Sequence, residues 1–209
     1  LDANGDIMPQ GGNLGAVDGN LGAVEQSAGD EVTLRSLIAT AGSNPTSITI
    51  YNDIPITTTD LTIPSNIFLR FKDAGKLSPE AGITLTINGS IEAGLWQIFG
   101  TSGTITVGKI VFPEWFGALG DGLTDDTNAL QRAIDSIPSG GSMYLTNNYV
   151  KTAYLTINAS NINIVANVGS SIIDTQPGIT GIAISSGLEN IIFNGVRLFG
   201  SCTDVSNAA

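Results

Sequence analysis

The sequence contains no histidine, a single cysteine, and eight lysines and arginines against nineteen aspartates and glutamates. Each shortage excludes something. Without histidine there is no Ser-His or Cys-His nucleophile pair, no imidazole base and no histidine-ligated zinc. Any catalysis must rest on carboxylates, Tyr, Lys or Arg. One thiol, Cys202, cannot form an intrachain disulfide. The net charge of −11, with its cations scattered, leaves no basic patch to displace counterions from phosphates, which argues against a nucleic-acid partner. No apolar run approaches the roughly 20 residues that span a bilayer, so no membrane partner is expected. The opening "LDANGDIMPQ" lacks the charged start and apolar stretch of a secretion signal, and its leading Leu suggests a fragment or a processed chain.

What is present is a weakly charged, turn-rich, aliphatic sequence. Hydrophobic residues make up 42% of 209 positions, charged residues 13%, and there are 26 glycines. That balance suits strands and turns better than helices. Residues 1–29 are Gly-rich and carry "NLGAV" twice, at Asn13–Val17 and Asn20–Val24. We expect an extended leader there that packs against a partner. A short helix is expected at Asp30–Ala41, with Asp30 as N-cap and Val32, Leu34, Leu37, Ile38 and Ala41 as its apolar face. Residues 30–110 then form a neck of that helix and short strands such as "SITIYN", "DLTIPSNIFLRF" and "GTITVGKIVF". The same texture resumes after Ile137.

A recurrence points to stacked coils rather than a sandwich. "SNIFL" (Ser65–Leu69), "SNINI" (Ser160–Ile164) and "ENIIF" (Glu189–Phe193) each place Asn before Ile and an apolar residue two places on. Asn tolerates the left-handed backbone of a tight corner. In a β-solenoid such corners join short strands that stack about 4.8 Å apart. An antiparallel sandwich remains the alternative, although few Asn-Gly or Asp-Gly hairpin turns are visible.

The densest motif is "WFGALGDGLTDDTNALQRAIDSIPSGGSMYL". Gly117, Gly120 and Gly122 make a tight connection. Thr124 or Asp125 is expected to cap a helix whose first turn carries Asp125 and Asp126 at the positive end of its dipole. Leu130, Ala133, Ile134 and Ile137 give its buried stripe, and Pro138 ends it. Asp121, Asp125 and Asp126 are thus expected to act as a structural helix-cap motif. Their spacing does not match a calcium loop, "DANGD" at Asp2–Asp6 lacks a bidentate Glu, and neither a metal nor a cofactor is expected.

This motif, with the "GGSMYL" strand after it, resembles the opening segment of pectin-lyase-like right-handed β-helix proteins. The resemblance implies an all-β, right-handed parallel β-helix with a short inserted capping helix and an extended leader, the helix proper beginning in 111–209. It also implies a polysaccharide-active protein. Lack of a secretion signal and the long stretch before the motif favour the bacteriophage branch, tailspikes and capsule depolymerases. The expectation is then the N-terminal portion of a virion tailspike or tail fibre. Such a protein would be made in the host cytoplasm and act outside it, as a homotrimer attached through its leader to other tail or baseplate proteins. Its further partner would be a host polysaccharide that it binds or depolymerises. A bacterial polysaccharide lyase or glycoside hydrolase of this fold, and a non-catalytic solenoid adhesin, are the rivals.

Catalytic residues are unknown at this level. Glycan hydrolysis needs two carboxylates roughly 5–10 Å apart, and lyase chemistry a base with a cation. Past the motif the acids are Asp174, Glu189 and Asp204 and the cations Lys151 and Arg197, with no convincing pair. The active site of a parent protein is expected beyond Ala209. Trp96, Trp115 and Phe116 lie among apolar neighbours and are expected to be buried rather than to stack on sugars.

Overall fold

The computed structural model of the protein describes residues 24–175 and 181–200. Strand β1 (Val24–Ala28) and helix α1 (Glu31–Ala41) lead into β2 (Thr46–Ile50), β3 (Asp53–Ile56) and β4 (Leu61–Ile63). The chain then repeats the pass as β5 (Ile67–Phe71), β6 (Lys76–Pro79) and β7 (Thr84–Ile87), and again as β8 (Ser90–Glu92) and β9 (Thr104–Val107). Three sheets result, ordered β1-β2-β5-β8, β3-β6 and β4-β7-β9. A single bridge from Leu77 to Phe99 stands where the middle sheet would have its third strand.

A second stack follows. β10 (Ile110–Val111), β11 (Asp121–Asp125) and helix α2 (Thr127–Asp135) make its first pass. β12 (Ser142–Leu145), β13 (Asn148–Lys151) and β14 (Leu155–Ile157) make the second, and β15 (Asn163–Ala166), β16 (Ser171–Asp174) and β17 (Ile182–Ile184) the third. β18 (Ile192–Asn194) and β19 (Arg197–Gly200) begin a fourth. The sheets are β10-β12-β15-β18, β11-β13-β16-β19 and β14-β17. The all-β expectation holds. Every pair among the described strands is parallel, which removes the antiparallel sandwich.

Register explains the core. Alternate residues of each strand point inward, and parallel pairing sets like above like: Ile48 on Leu69, Ile54 on Leu77, Ile63 on Ile87 and then Val107, Met143 on Ile164. These aliphatic ladders are fully or almost fully buried. Each side chain so buried contributes about 1.5–3 kcal/mol of transfer free energy. The repeated asparagines sit at corners. Asn161 and Asn190 both adopt left-handed φ, 59° and 57°, and Asn190 Nδ2 donates to Asn161 Oδ1 at 2.9 Å. Twenty-nine residues separate them, as Asn163↔Ile192 does in the sheet. Asn66 is a corner residue of another kind, donating to the carbonyls of Gly42 (3.1 Å) and Asn44 (2.7 Å).

Two expectations need adjustment. Val24–Ala28, assigned by sequence to the leader, pairs residue for residue with β2 and is the first strand of the stack, because its alternation matches the ladder below it. The "DANGD" run and the first "NLGAV" copy lie outside the described residues. Helix α1 (Glu31–Ala41) has the expected N-cap, Asp30 accepting from Thr33 N at 2.8 Å, but Val32, expected on its apolar face, is exposed to solvent, and Leu34 and Ala41 are the apolar residues it buries.

α1 covers the first pass. The Glu31 carboxylate accepts from the amides of Thr57 (2.9 Å) and Thr58 (3.4 Å) and from both hydroxyls, while Arg35 donates to the carbonyls of Thr59 and Asp60. Burial pushes the Glu31 carboxyl up, but the Thr58, Thr57 and Arg35 donors outweigh it and bring it down from 4.5 to about 2. A depressed carboxyl contributes stability that is complete above its ordinary value and is lost as pH falls through the folded value. Glu31→Gln is therefore expected to cost roughly 1–3 kcal/mol at neutral pH and to flatten the acid limb of a stability–pH curve between about 4.5 and 2. Denaturant melts of both proteins across that range are the check.

Candidate functional site

The motif that dominates the sequence forms the joint between the two stacks. After β10, Pro113–Phe116 makes one turn of 3-10 helix that ends on Gly117 in the left-handed region, φ 101°. Trp115 and Phe116 turn inward, 4% exposed each, and pack on Phe99 at the base of the first stack. The Trp115 carbonyl accepts from the amides of Ile98 and Phe99, and its indole donates to Gly94 O at 3.0 Å. Burial of Trp115 and Phe116 agrees with their apolar neighbours. Trp96, at 41% exposed, differs, because it lies in the loop after β8 rather than on a ladder.

Each aspartate holds backbone. Asp121 accepts from Leu123 N (2.8 Å), Thr124 N (2.7 Å) and the Thr124 hydroxyl, and these donors lower its carboxyl. Asp125 accepts from Thr127 N and its hydroxyl and from the Thr152 hydroxyl, tying the head of α2 to the end of β13. Burial raises this carboxyl, and the Thr127 and Thr152 donors more than offset it, leaving it below its ordinary value. Asp126 is buried, 3% exposed. Its Oδ1 accepts from Leu119 N at 2.8 Å, its Oδ2 from Gly120 N at 3.2 Å, and its own amide donates to Val150 O. Burial pushes its carboxyl up despite those amides.

The cap differs in detail from the sequence expectation. α2 starts at Thr127, so Asp126 is the N-cap residue, yet its side chain turns back to the Leu119–Gly120 amides instead of capping. Asp125 supplies the bond to the first helical amide. Asp121 serves the turn before, within β11. The reason is register: β11 must pair with β13, Asp121↔Asn148 and Asp125↔Val150, and this draws the run out into a strand.

α2 then takes the place of a strand. Its Ala129, Leu130, Ala133 and Ile134 are buried. Gln131 lies along β14, its Oε1 accepting from Thr156 N at 2.8 Å and its Nε2 donating to Thr156 O at 3.0 Å. On the other side Ser136 O accepts from Val107 N of β9. Arg132 donates to Gly100 O and lies over the Phe116 ring, 5.7 Å from its centroid.

Sequence reasoning missed the buried Glu114–Tyr149 pair. Glu114 Oε1 accepts from Tyr149 Oη (2.6 Å), the Thr146 hydroxyl (2.7 Å) and Asn147 Nδ2 (2.9 Å). Burial first, and the Glu114 acceptor second, hold the Tyr149 phenol well above its ordinary value. The signal was available: a lone acid in the apolar run "FPEWF" must be partnered if buried. The other expected residues are dispersed. Lys151 is buried, Arg197 and Glu189 are exposed on separate segments, and Asp204 and Cys202 fall outside the described residues. Among the described residues no three His, Cys, Asp or Glu side chains gather as a metal site. The joint aspartates spend their oxygens on the protein's own donors, so the arrangement orients chain and does not poise an acid–base pair.

A segment of the chain is 52% identical over 44 residues to a capsule K30/K69-specific depolymerase of Klebsiella phage K64-1. The match covers 18% of this chain and 6% of that protein's length. No family model matches the chain, and no solved structure does.

If Asp125 and Asp126 hold the joint, Asp125→Ala with Asp126→Ala removes the acceptors of the Thr127, Leu119 and Gly120 amides and is expected to cost on the order of 1–3 kcal/mol. Chemical denaturation measures the loss, and an unchanged melting profile would contradict this role.

Proposed function

We propose that this chain is the N-terminal part of a phage tailspike or tail fibre, a virion component carrying a right-handed β-helix that binds or depolymerises host surface polysaccharide. The observation that carries this reading is the 44-residue, 52%-identical similarity to a phage capsule depolymerase. The fold supports it: the described strands of successive passes pair in parallel, and parallel crossovers within one sheet are right-handed in nearly every known case. The acids of the joint are committed to the protein's own donors, which supports a reading in which the cleaving residues of such a spike are other side chains of the full protein. The spike is a closed homotrimer, in which exposed apolar groups such as Leu95, Trp96 and Leu123 would meet equivalent neighbours, and the leader joins it to other tail proteins.

The test has two arms. The full-length protein is expected to shorten a bacterial capsular polysaccharide, read by size-exclusion chromatography, while residues 1–209 alone release no reducing ends or unsaturated sugars. Light scattering is expected to give three chains per particle for the full-length protein. Absence of any capsule shortening or binding by the full-length protein contradicts the reading, and a stable monomer contradicts the spike assembly.

A further inference from the structure

The middle sheet of the first stack is incomplete, and the gap has chemistry. Below β6 the third pass offers only the Leu77–Phe99 bridge before the chain leaves as the loop to Ser102. Between that loop and the outward face of β3 and β6 lies a cleft of about 320 Å3, within the size range of small-ligand sites, roughly 300–1,000 Å3. Its loop wall is held from both stacks. Gly100 N donates to Leu77 O at 2.9 Å, and Gly100 O accepts from Arg132 of α2. Gly100 must be glycine, because a Cβ there would fall 2.6 Å from Ser78 Oγ.

The strand wall presents outward residues in register. Asp53 pairs with Lys76 across the ladder, their charged atoms 3.6 Å apart, and Ser78 Oγ donates to the other Asp53 oxygen. Glu80 stands exposed at the end of this wall, and Pro55 supplies an apolar ring face, with buried Pro79 beneath. Across the cleft Gln97 donates its amide to Phe99 O at 2.8 Å, which leaves its side-chain oxygen as an acceptor. Thr101 and Ser102 add hydroxyls.

We propose that this cleft binds one neutral or amine-bearing sugar unit of a polysaccharide; the inference rests on the polysaccharide reading above. Several donors and acceptors spaced along one wall suit adjacent hydroxyls, and the exposed Pro55 ring suits the C–H side of a pyranose. The charge balance selects among sugars. Two carboxylates face one ammonium, in a chain of net charge −11, so a uronic acid is repelled and an amino sugar is attracted. The site binds without cleaving, since Lys76 and Ser78 hold Asp53 as a fixed acceptor.

The experiment titrates the 209-residue chain with three oligosaccharide sets, built from neutral hexoses, from hexosamines with free amines, and from uronic acids, read by calorimetry and NMR line shifts. Saturable binding of the neutral or amine-bearing set is expected, without cleavage. Asp53→Asn and Glu80→Gln should each weaken it about tenfold, and Glu80→Gln, at an exposed side chain, with unchanged melting. Asp135→Asn, on α2 away from the cleft, should leave binding intact. Uronate binding equal to or tighter than the others, no binding of any set, or equal loss in all three variants would overturn the proposal. Capsule shortening by the full-length protein, measured separately, tells failure of the cleft from failure of the polysaccharide reading.

Discussion

A parallel stack contains no hairpins, so each strand leaves one row of amides and carbonyls for the strand of the next pass to satisfy. This constraint shapes the molecule. Within the stacks the next strand arrives on schedule. At the edges where no strand comes, a side chain reaches the exposed backbone. Glu31 and Arg35 cover Thr57–Asp60, Gln131 covers Thr156, Thr127 Oγ1 takes the Thr152 amide at 2.8 Å, and Asp126 takes Leu119 and Gly120. Both helices are thus strand substitutes placed by one or two long polar side chains.

The joint follows from the same need. The first stack ends with an incomplete middle sheet, and the second begins with a helix in place of its third strand. The motif between them solves both problems. Trp115 lends its carbonyl to the Ile98 and Phe99 amides, Ser136 lends its carbonyl to Val107, and Arg132 fixes the Gly100 loop. Between β8 and β10 no described residue fills the gap, and a groove of about 540 Å3 remains, walled by Phe68, Ile91, Ile110 and Phe112. Aspartates, usually read for chemistry, here set the path of the chain so that α2 lands between β9 and β14.

Much of this was legible from residues. Period-two runs of Ile, Thr and Val announced the strands, and Asn161 with Asn190 announced the corner spacing, because few other side chains tolerate that backbone. The stripe Leu130, Ala133 and Ile134 announced α2. What escaped was long-range and polar. That Asp126 would turn back to Leu119 rather than cap α2 depends on β11 pairing with β13, which no local pattern encodes. The role of Gln131 depends on which strand lies beneath it. The cleft around Asp53 was hidden because its walls come from three passes, and the Glu114–Tyr149 pair because its members are far apart in sequence.

The most direct test of edge capping by side chains is amide hydrogen exchange at Thr156 in the intact protein and in Gln131→Ala. Thr156 N–H has Gln131 Oε1 as its acceptor. The account predicts protection of this amide in the parent, and much faster exchange in the variant while amides of β15 and β16 keep their rates. Unchanged protection at Thr156 after loss of the Gln131 side chain would contradict it.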